Sequence, residues 1–368
     1  MALDGHAQQC SVRLEHVRTV SSRRKALCIG INYHGTCAEL QGSVNDALHW
    51  LAFLTQHSSF HPDDVLVMID EFPSGEAVRE SDPSGYWRPT KELIIEALGW
   101  FVQDAAPGDV LFFSFSGHCV RVSEGLVCGG PSDALCPVDW DGFDSGVMPH
   151  RLVDLSTLQK HFAHLPGGVC LTVVLDTSIV GVCPFQLPFR IDCLCPAREL
   201  QRDHALQSGA PRDGSCDVWL HQCVSALPRR LPLEAQKPLW SPLGRCWSMR
   251  KPTEELNEGL AVFCFVACHG KQTALELSLD GFPQGCLSYC ALRALEAVTS
   301  ECTYAELCQS MGAILQRLRL EVAMCMDQCF QLSYGKNAAP NCLVLHTSSA
   351  LVAKDRARRR RGQVQRPS

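Results

Sequence analysis

Apolar residues fall in short unbroken runs along this chain, separated by longer stretches with helical spacing. Lys25-Ala26-Leu27-Cys28-Ile29-Gly30-Ile31 is such a run, the pattern of a strand covered on both faces. The segments 64–70, Val110 to Ser116, Val169 to Leu175 and Ala261 to Ala267 repeat it. Between them the spacing predicts helices. One spans Asn45 to Gln56, with Leu48, Leu51 and Ala52 on one side. Another follows Thr90, a suitable N-cap, with an apolar stripe of Leu93, Ile94, Ala97, Leu98 and Phe101. Further helices are expected over Leu152 to Phe162, 286–297 and 303–319. Asn341-Cys342-Leu343-Val344-Leu345 reads as a closing strand. Repeated strand-helix-strand units of this kind predict an α/β fold with a mostly parallel central sheet flanked by helices on both faces.

The rhythm breaks between 183 and 256, a stretch rich in Pro, Arg, Cys and Gly. It predicts a long irregular excursion from a single domain over 23–348, a functional flap or an expanded insertion. Residues 1–22 and 349–368 read as disordered ends. Composition sharpens this little. The hydrophobic share of 46% fits a globular chain, and no run of about 18 apolar residues predicts a membrane span. The N-terminus has no apolar core of a signal peptide and no glycine after Met1. Scattered over so long a chain, 22 cysteines read as reduced thiols of a cytoplasmic or nuclear protein, many buried as small hydrophobes. The net charge of −6 is asymmetric: seven Lys and Arg crowd the tail from Lys354 to Ser368 and leave the body more acidic. That tail is a solvated end or a nuclear-import or polyanion-binding patch; the body offers nucleic acid no basic stretch.

Two strands end on chemistry. Val110-Leu111-Phe112-Phe113-Ser114-Phe115-Ser116-Gly117-His118 delivers a histidine, and Val173-Val174-Leu175-Asp176-Thr177-Ser178 delivers an acid and a hydroxyl. The carboxyl ends of strands are where ligands collect on open α/β sheets. These segments, together with 25–46 (KALCIGINYHGTCAELQGSVND), Pro137-Val138-Asp139, Leu187-Pro188-Phe189 and 266–274 (VACHGKQTA), occur in an order that resembles the catalytic domain of metacaspases. The resemblance spans about 24–345. It implies a caspase-like three-layer fold and, by its short link between the two strand-end motifs, a monomeric type I-like member of the caspase-fold cysteine peptidases (C14).

The resemblance assigns roles residue by residue. His118 matches the family's general base, and Ser178 matches its nucleophilic cysteine. A backbone N–H near Gly117 would help hold the oxyanion. A hydroxyl is a far weaker acid than a thiol, so proteolysis through Ser178 is expected to be impaired. Cys119 and Cys183 are the nearby thiols that could substitute. Ser43, Asp46, Ser116 and Asp176 match the pocket that takes a P1 Arg or Lys. Taken alone, Asp46 could instead brace the first helix and Asp176 could satisfy loop N–H groups. The family's calcium ligands match only in part, at Asp133 and Asp154, with Leu155 and Gln186 where carboxylates are wanted, so the implied calcium site is degenerate and no other cofactor is expected. The partners implied are a protein or peptide with Arg or Lys at P1, or an active metacaspase paralogue. Three readings stay open: a pseudopeptidase that binds or regulates, an endopeptidase using a Ser178–His118 dyad, and a nucleic-acid partner acting through the tail.

Overall fold

A computed structural model describes residues 22–79, 84–122, 132–140, 151–178, 185, 187–192, 227–228, 255–268, 272–298, 301–321 and 328–346. The two chain ends, most of the excursion, Cys183 and Gln186 lie outside the described residues. A seven-stranded sheet organises the rest. Five parallel strands form its body: β1 (Arg24–Gly30), β2 (Val65–Ile69), β3 (Val110–Ser116), β7 (Cys170–Asp176) and β10 (Ala261–Val266). β13 (Gln331–Tyr334) and β8 (Phe189–Asp192) extend it antiparallel, giving the order β2-β1-β3-β7-β10-β13-β8.

The unbroken apolar runs are explained by two cores, one on each face. Ala26, Cys28, Val110, Phe112 and Phe263 point to a layer made by α1 (Ser43–His57), α4 (Cys286–Glu296) and α5 (Tyr304–Glu321). Leu27, Ile29, Leu111, Phe113 and Phe115 point the other way, onto α2 (Lys91–Val102) and α3 (Leu155–Ala163). Alternate residues of one strand thus fill different cores, and both faces of the sheet are covered. This is an α/β arrangement of three layers, with a mostly parallel sheet flanked by helices on both faces, as the sequence implies. Among the described residues no helix is long and apolar enough to cross a membrane.

Local signals hold where they are short-range. Thr90 accepts the Leu93 N–H at 3.3 Å as the α2 cap. Thr303 and Glu306 form a reciprocal capping box at α5, each side chain accepting the other's backbone N–H. The α3 helix starts three residues later than its spacing suggests. Val153–Asp154 first pairs as β6 with β5 (Ser132–Leu135), and the Asp154 carboxylate then caps Ser156 at 2.7 Å. One expectation fails. Asn341 to Leu345 is not a strand: Leu343 makes a single bridge to Thr303, and Leu345 turns with φ +56. The strand beside β10 is β13, whose Gln331 and Ser333 are buried polar residues. Gln331 gives its Nε2–H to Asp192 of β8 at 2.9 Å, a long-range partner that removes the cost of burial. Two smaller sheets complete the fold. β4 (Cys119–Val122) pairs with β5, and β11 (Leu275–Leu279) pairs with β12 (Phe282–Gly285) and with β9 (Leu227–Pro228).

Candidate active site

Register brings the chemistry to one edge. Gly30 of β1 stands opposite Ser116 of β3, and Ser116 stands opposite Asp176 of β7. His118 and Ser178 each lie two residues beyond that row, both 2% exposed. The chain therefore places the two residues matched to the dyad on neighbouring strand ends, under cover.

His118 is held at several points. Its backbone N–H donates to Tyr33 Oη at 2.9 Å, and its carbonyl accepts from the Cys136 N–H at 3.1 Å. The ring Nε2 lies 2.7 Å from the Ala38 carbonyl oxygen. A carbonyl can only accept, so Nε2 carries the proton and Nδ1 is the basic nitrogen of the neutral ring. The Tyr33 ring packs against the imidazole with centroids 4.9 Å apart. Ser178 faces a different neighbour. Its hydroxyl oxygen accepts the Ala274 N–H at 3.0 Å, from the segment that leads into β11.

The four residues matched to the cation pocket also converge, and all are buried. Ser116 Oγ donates to Asp46 Oδ2 at 2.5 Å. The Gly285 N–H reaches both Asp46 oxygens, at 3.0 and 3.2 Å, and the Ser288 N–H donates to Asp176 Oδ2 at 2.8 Å. Ser43 opens α1 one turn before Asp46. Two carboxylates thus sit against the N-terminus of α4, where unpaired N–H groups and the helix dipole favour negative charge. Both engage backbone N–H groups, as the sequence allowed beside substrate binding; Asp46 braces α4 rather than its own helix.

Several contributors escaped sequence reasoning. Tyr33, Ala38 and Ala274 act through a phenol, a carbonyl and an amide. Asn32 Oδ1 takes the Ser43 and Val44 N–H groups at 2.9 and 3.2 Å, capping α1 from across a loop. Glu276 of β11 accepts the Gln41 and Gly42 N–H groups at 2.8 and 3.1 Å. The one available signal was position: Asn32 and Tyr33 directly follow a strand that ends in the row of Ser116 and Asp176.

Asp133 and Asp154 lie on the paired strands β5 and β6. Two carboxylates do not make the roughly six to eight oxygens that calcium takes, and one Asp154 oxygen is already engaged by Ser156. Among the described residues no group of three or more His, Cys, Asp or Glu could hold a metal ion. Asp139 accepts the Lys91 N–H at 2.9 Å and so helps cap α2.

Cys119 follows His118 and is buried. Burial pushes its thiol well above the usual range, with Asp133 and Cys136 adding to the shift. Cys136 is raised by burial too, and Cys28 and Cys170 are pushed up to about 12. Thiols in that state are protonated and unreactive near neutrality. Iodoacetamide at pH 7.5 is therefore expected to modify the exposed Cys37 in the native chain while Cys28, Cys119, Cys136 and Cys170 wait for denaturant. Peptide mapping by mass spectrometry checks this; prompt labelling at Cys119 would restore it as a candidate.

A family model for the metacaspase, peptidase C14 domain matches residues 24–184. Metacaspase-1 of Schizosaccharomyces pombe is 26% identical over 308 residues, 81% of this chain and 65% of that protein. Metacaspase-5 of Trypanosoma brucei brucei is 35% identical over 178 residues, 47% of this chain and 32% of that protein. In neither case does the match reach two thirds of the relative's own length. Among solved structures, protein GSU0716 from Geobacter sulfurreducens aligns with a TM-score of 0.48 at 15% identity, covering 85% of this chain and 93% of that one. The structure of pro-sf-caspase-1 aligns at 0.37 and 10% identity, covering 89% and 92%. The matched region begins with β1 and runs past Ser178, through both strands that end in His118 and Ser178, so the similarity to metacaspases covers the part of the chain that carries the candidate site.

Proposed function

We propose that this metacaspase-like chain is a catalytically impaired peptidase that acts by binding or regulation. The observation that carries the reading is that the histidine on the strand end beside Ser178 has its Nε2 tied to the neutral carbonyl of Ala38. Serine peptidases place a carboxylate on the ring nitrogen that faces away from the serine, where it stabilises the imidazolium formed on attack. Neutralising that carboxylate in a triad enzyme lowers kcat by about 10⁴-fold. A carbonyl orients the ring but supplies no negative charge. The Ser178 oxygen also gives a lone pair to Ala274, which further lowers its readiness to attack. A thiol tolerates such a site, because an adjacent imidazole can deprotonate it unaided.

The acids at α4 support the ligand class. Asp46 and Asp176 suit a guanidinium or ammonium group, so the peptide bound carries Arg or Lys at P1. An active metacaspase paralogue, or a protein it would cleave, is the partner that such a domain would occupy or regulate. The test is hydrolysis of a fluorogenic Arg peptide by the full chain, with and without calcium, beside Ser178→Ala. Equal rates in the two proteins, at blank level, are expected. Turnover present in the parent and lost in Ser178→Ala would establish the active serine dyad instead.

A further inference from the structure

We propose that Tyr33 is a positioning residue for His118, holding the imidazole in the pose of a base through its phenol. The inference rests on reading His118 as the base of this site.

The phenol closes a small circuit around the histidine. Tyr33 Oη accepts the His118 N–H and donates to the Cys136 carbonyl at 2.7 Å, while the Cys136 N–H returns to the His118 carbonyl. Both backbone groups of His118 are thereby fixed, and the tyrosine ring supports one side of the imidazole. Burial holds the phenol well above its usual range, so it stays neutral and keeps the proton it donates.

The tyrosine is itself held under strain. It adopts φ +54, a left-handed conformation costly for a residue with a side chain. Asp70, at the end of β2, secures it: one carboxylate oxygen takes the Asn32 N–H at 2.9 Å, and the other takes the Tyr33 N–H at 2.7 Å. The Thr36 hydroxyl then donates to the Tyr33 carbonyl at 2.8 Å, and the Ala38 N–H donates to that hydroxyl at 3.3 Å. This bends the chain so that the Ala38 carbonyl meets Nε2. Six residues, 33 to 38, thus grip the histidine at its backbone and at its ring. Gly117 fits the same design, since a Cβ there would lie 2.8 Å from Tyr33 Oη. Strain held in place by its surroundings in this way clusters at functional sites.

The experiment uses the full chain labelled with ¹⁵N-histidine, with the ring signals of His118 assigned by loss in His118→Gln. Tyr33→Phe keeps the ring and removes the phenol. It should move the His118 ring nitrogens from a single Nε2–H tautomer toward a mixture, with circular dichroism unchanged. In the Ser178→Cys background, Tyr33→Phe should slow alkylation of the new thiol near pH 6.5 by about tenfold, as a shift of the thiolate profile to higher pH. Should Tyr33→Phe not fold, Gly117→Ala displaces the phenol with the tyrosine retained, and the same signals should move. Identical ring signals and alkylation profiles in the folded variants and their parents would overturn the proposal. If Ser178→Cys stays unreactive while the ring signals still respond to Tyr33→Phe, the dyad reading fails and the positioning role stands.

Discussion

Ser178→Cys should convert this chain into an Arg-directed peptidase, with turnover of a fluorogenic Arg peptide roughly 10³-fold above the parent. The proposed base is held in position: His118 has Nε2 fixed as donor and its backbone tied at both ends. What the site lacks is a nucleophile that a lone imidazole can ionise. A thiol near pKa 8.5 meets that need, and its thiolate attacks without a carboxylate behind the base. The Ala274 N–H that now serves the hydroxyl can serve sulfur at a slightly longer distance, so the exchange should not disturb the fold. The pH profile should rise as the thiolate forms, and Ser178→Cys with His118→Gln should return to the parent's rate. A folded Ser178→Cys chain that neither hydrolyses the peptide nor shows an iodoacetamide-reactive thiol below pH 7 would refute a preserved base.

Gly30→Ala is expected to destabilise the fold by about 3 kcal/mol or more, a large part of a domain's total stability. A Cβ at this position would come 2.2 Å from the Ser43 carbonyl oxygen, 2.8 Å from its carbon and 2.9 Å from Ala47 Cβ. None of these atoms is the end of a flexible side chain. Relief requires α1 to retreat from β1, which also withdraws Asp46 from Ser116 and Gly285. Gly99→Ala is the fitting contrast. Gly99 lies within α2 with open space around an added methyl, so the change should stabilise by about 0.5–1 kcal/mol through helix propensity. Urea denaturation of the three proteins measures both effects. A Gly30→Ala chain within 1 kcal/mol of the parent would contradict the close approach of β1 and α1.

The sheet was legible because its strands are covered on both faces. A run such as Val110 to Ser116 writes its burial into every position. β13 was not legible because its buried residues include Gln331 and Ser333, whose partners are remote in sequence. Asn341 to Leu345 misled for the converse reason: Leu345 is buried beside Tyr304 without belonging to a strand, its N–H reaching the phenol at 3.4 Å. The site divides the same way. His118, Ser178, Asp46 and Asp176 are side chains on strand and helix ends, and pattern reveals such places. The grip on His118, the Ala274 amide at Ser178 and the α4 amides at the acids are backbone or phenol contacts across 80 to 239 positions. Backbone groups are present at every residue, so no letter in the sequence marks which ones are used.

The end of β12 and the start of α4 supply N–H groups to Asp46 and Asp176 without regard to which side chains they carry, while Glu276 of β11 alone acts through its side chain, on Gln41 and Gly42. Single-letter changes there can be absorbed. A one-residue insertion or deletion between Glu276 and Ser288 cannot, because it turns carbonyls toward the acids where amides now point. Segment length, more than spelling, is the inherited quantity in that part of the chain.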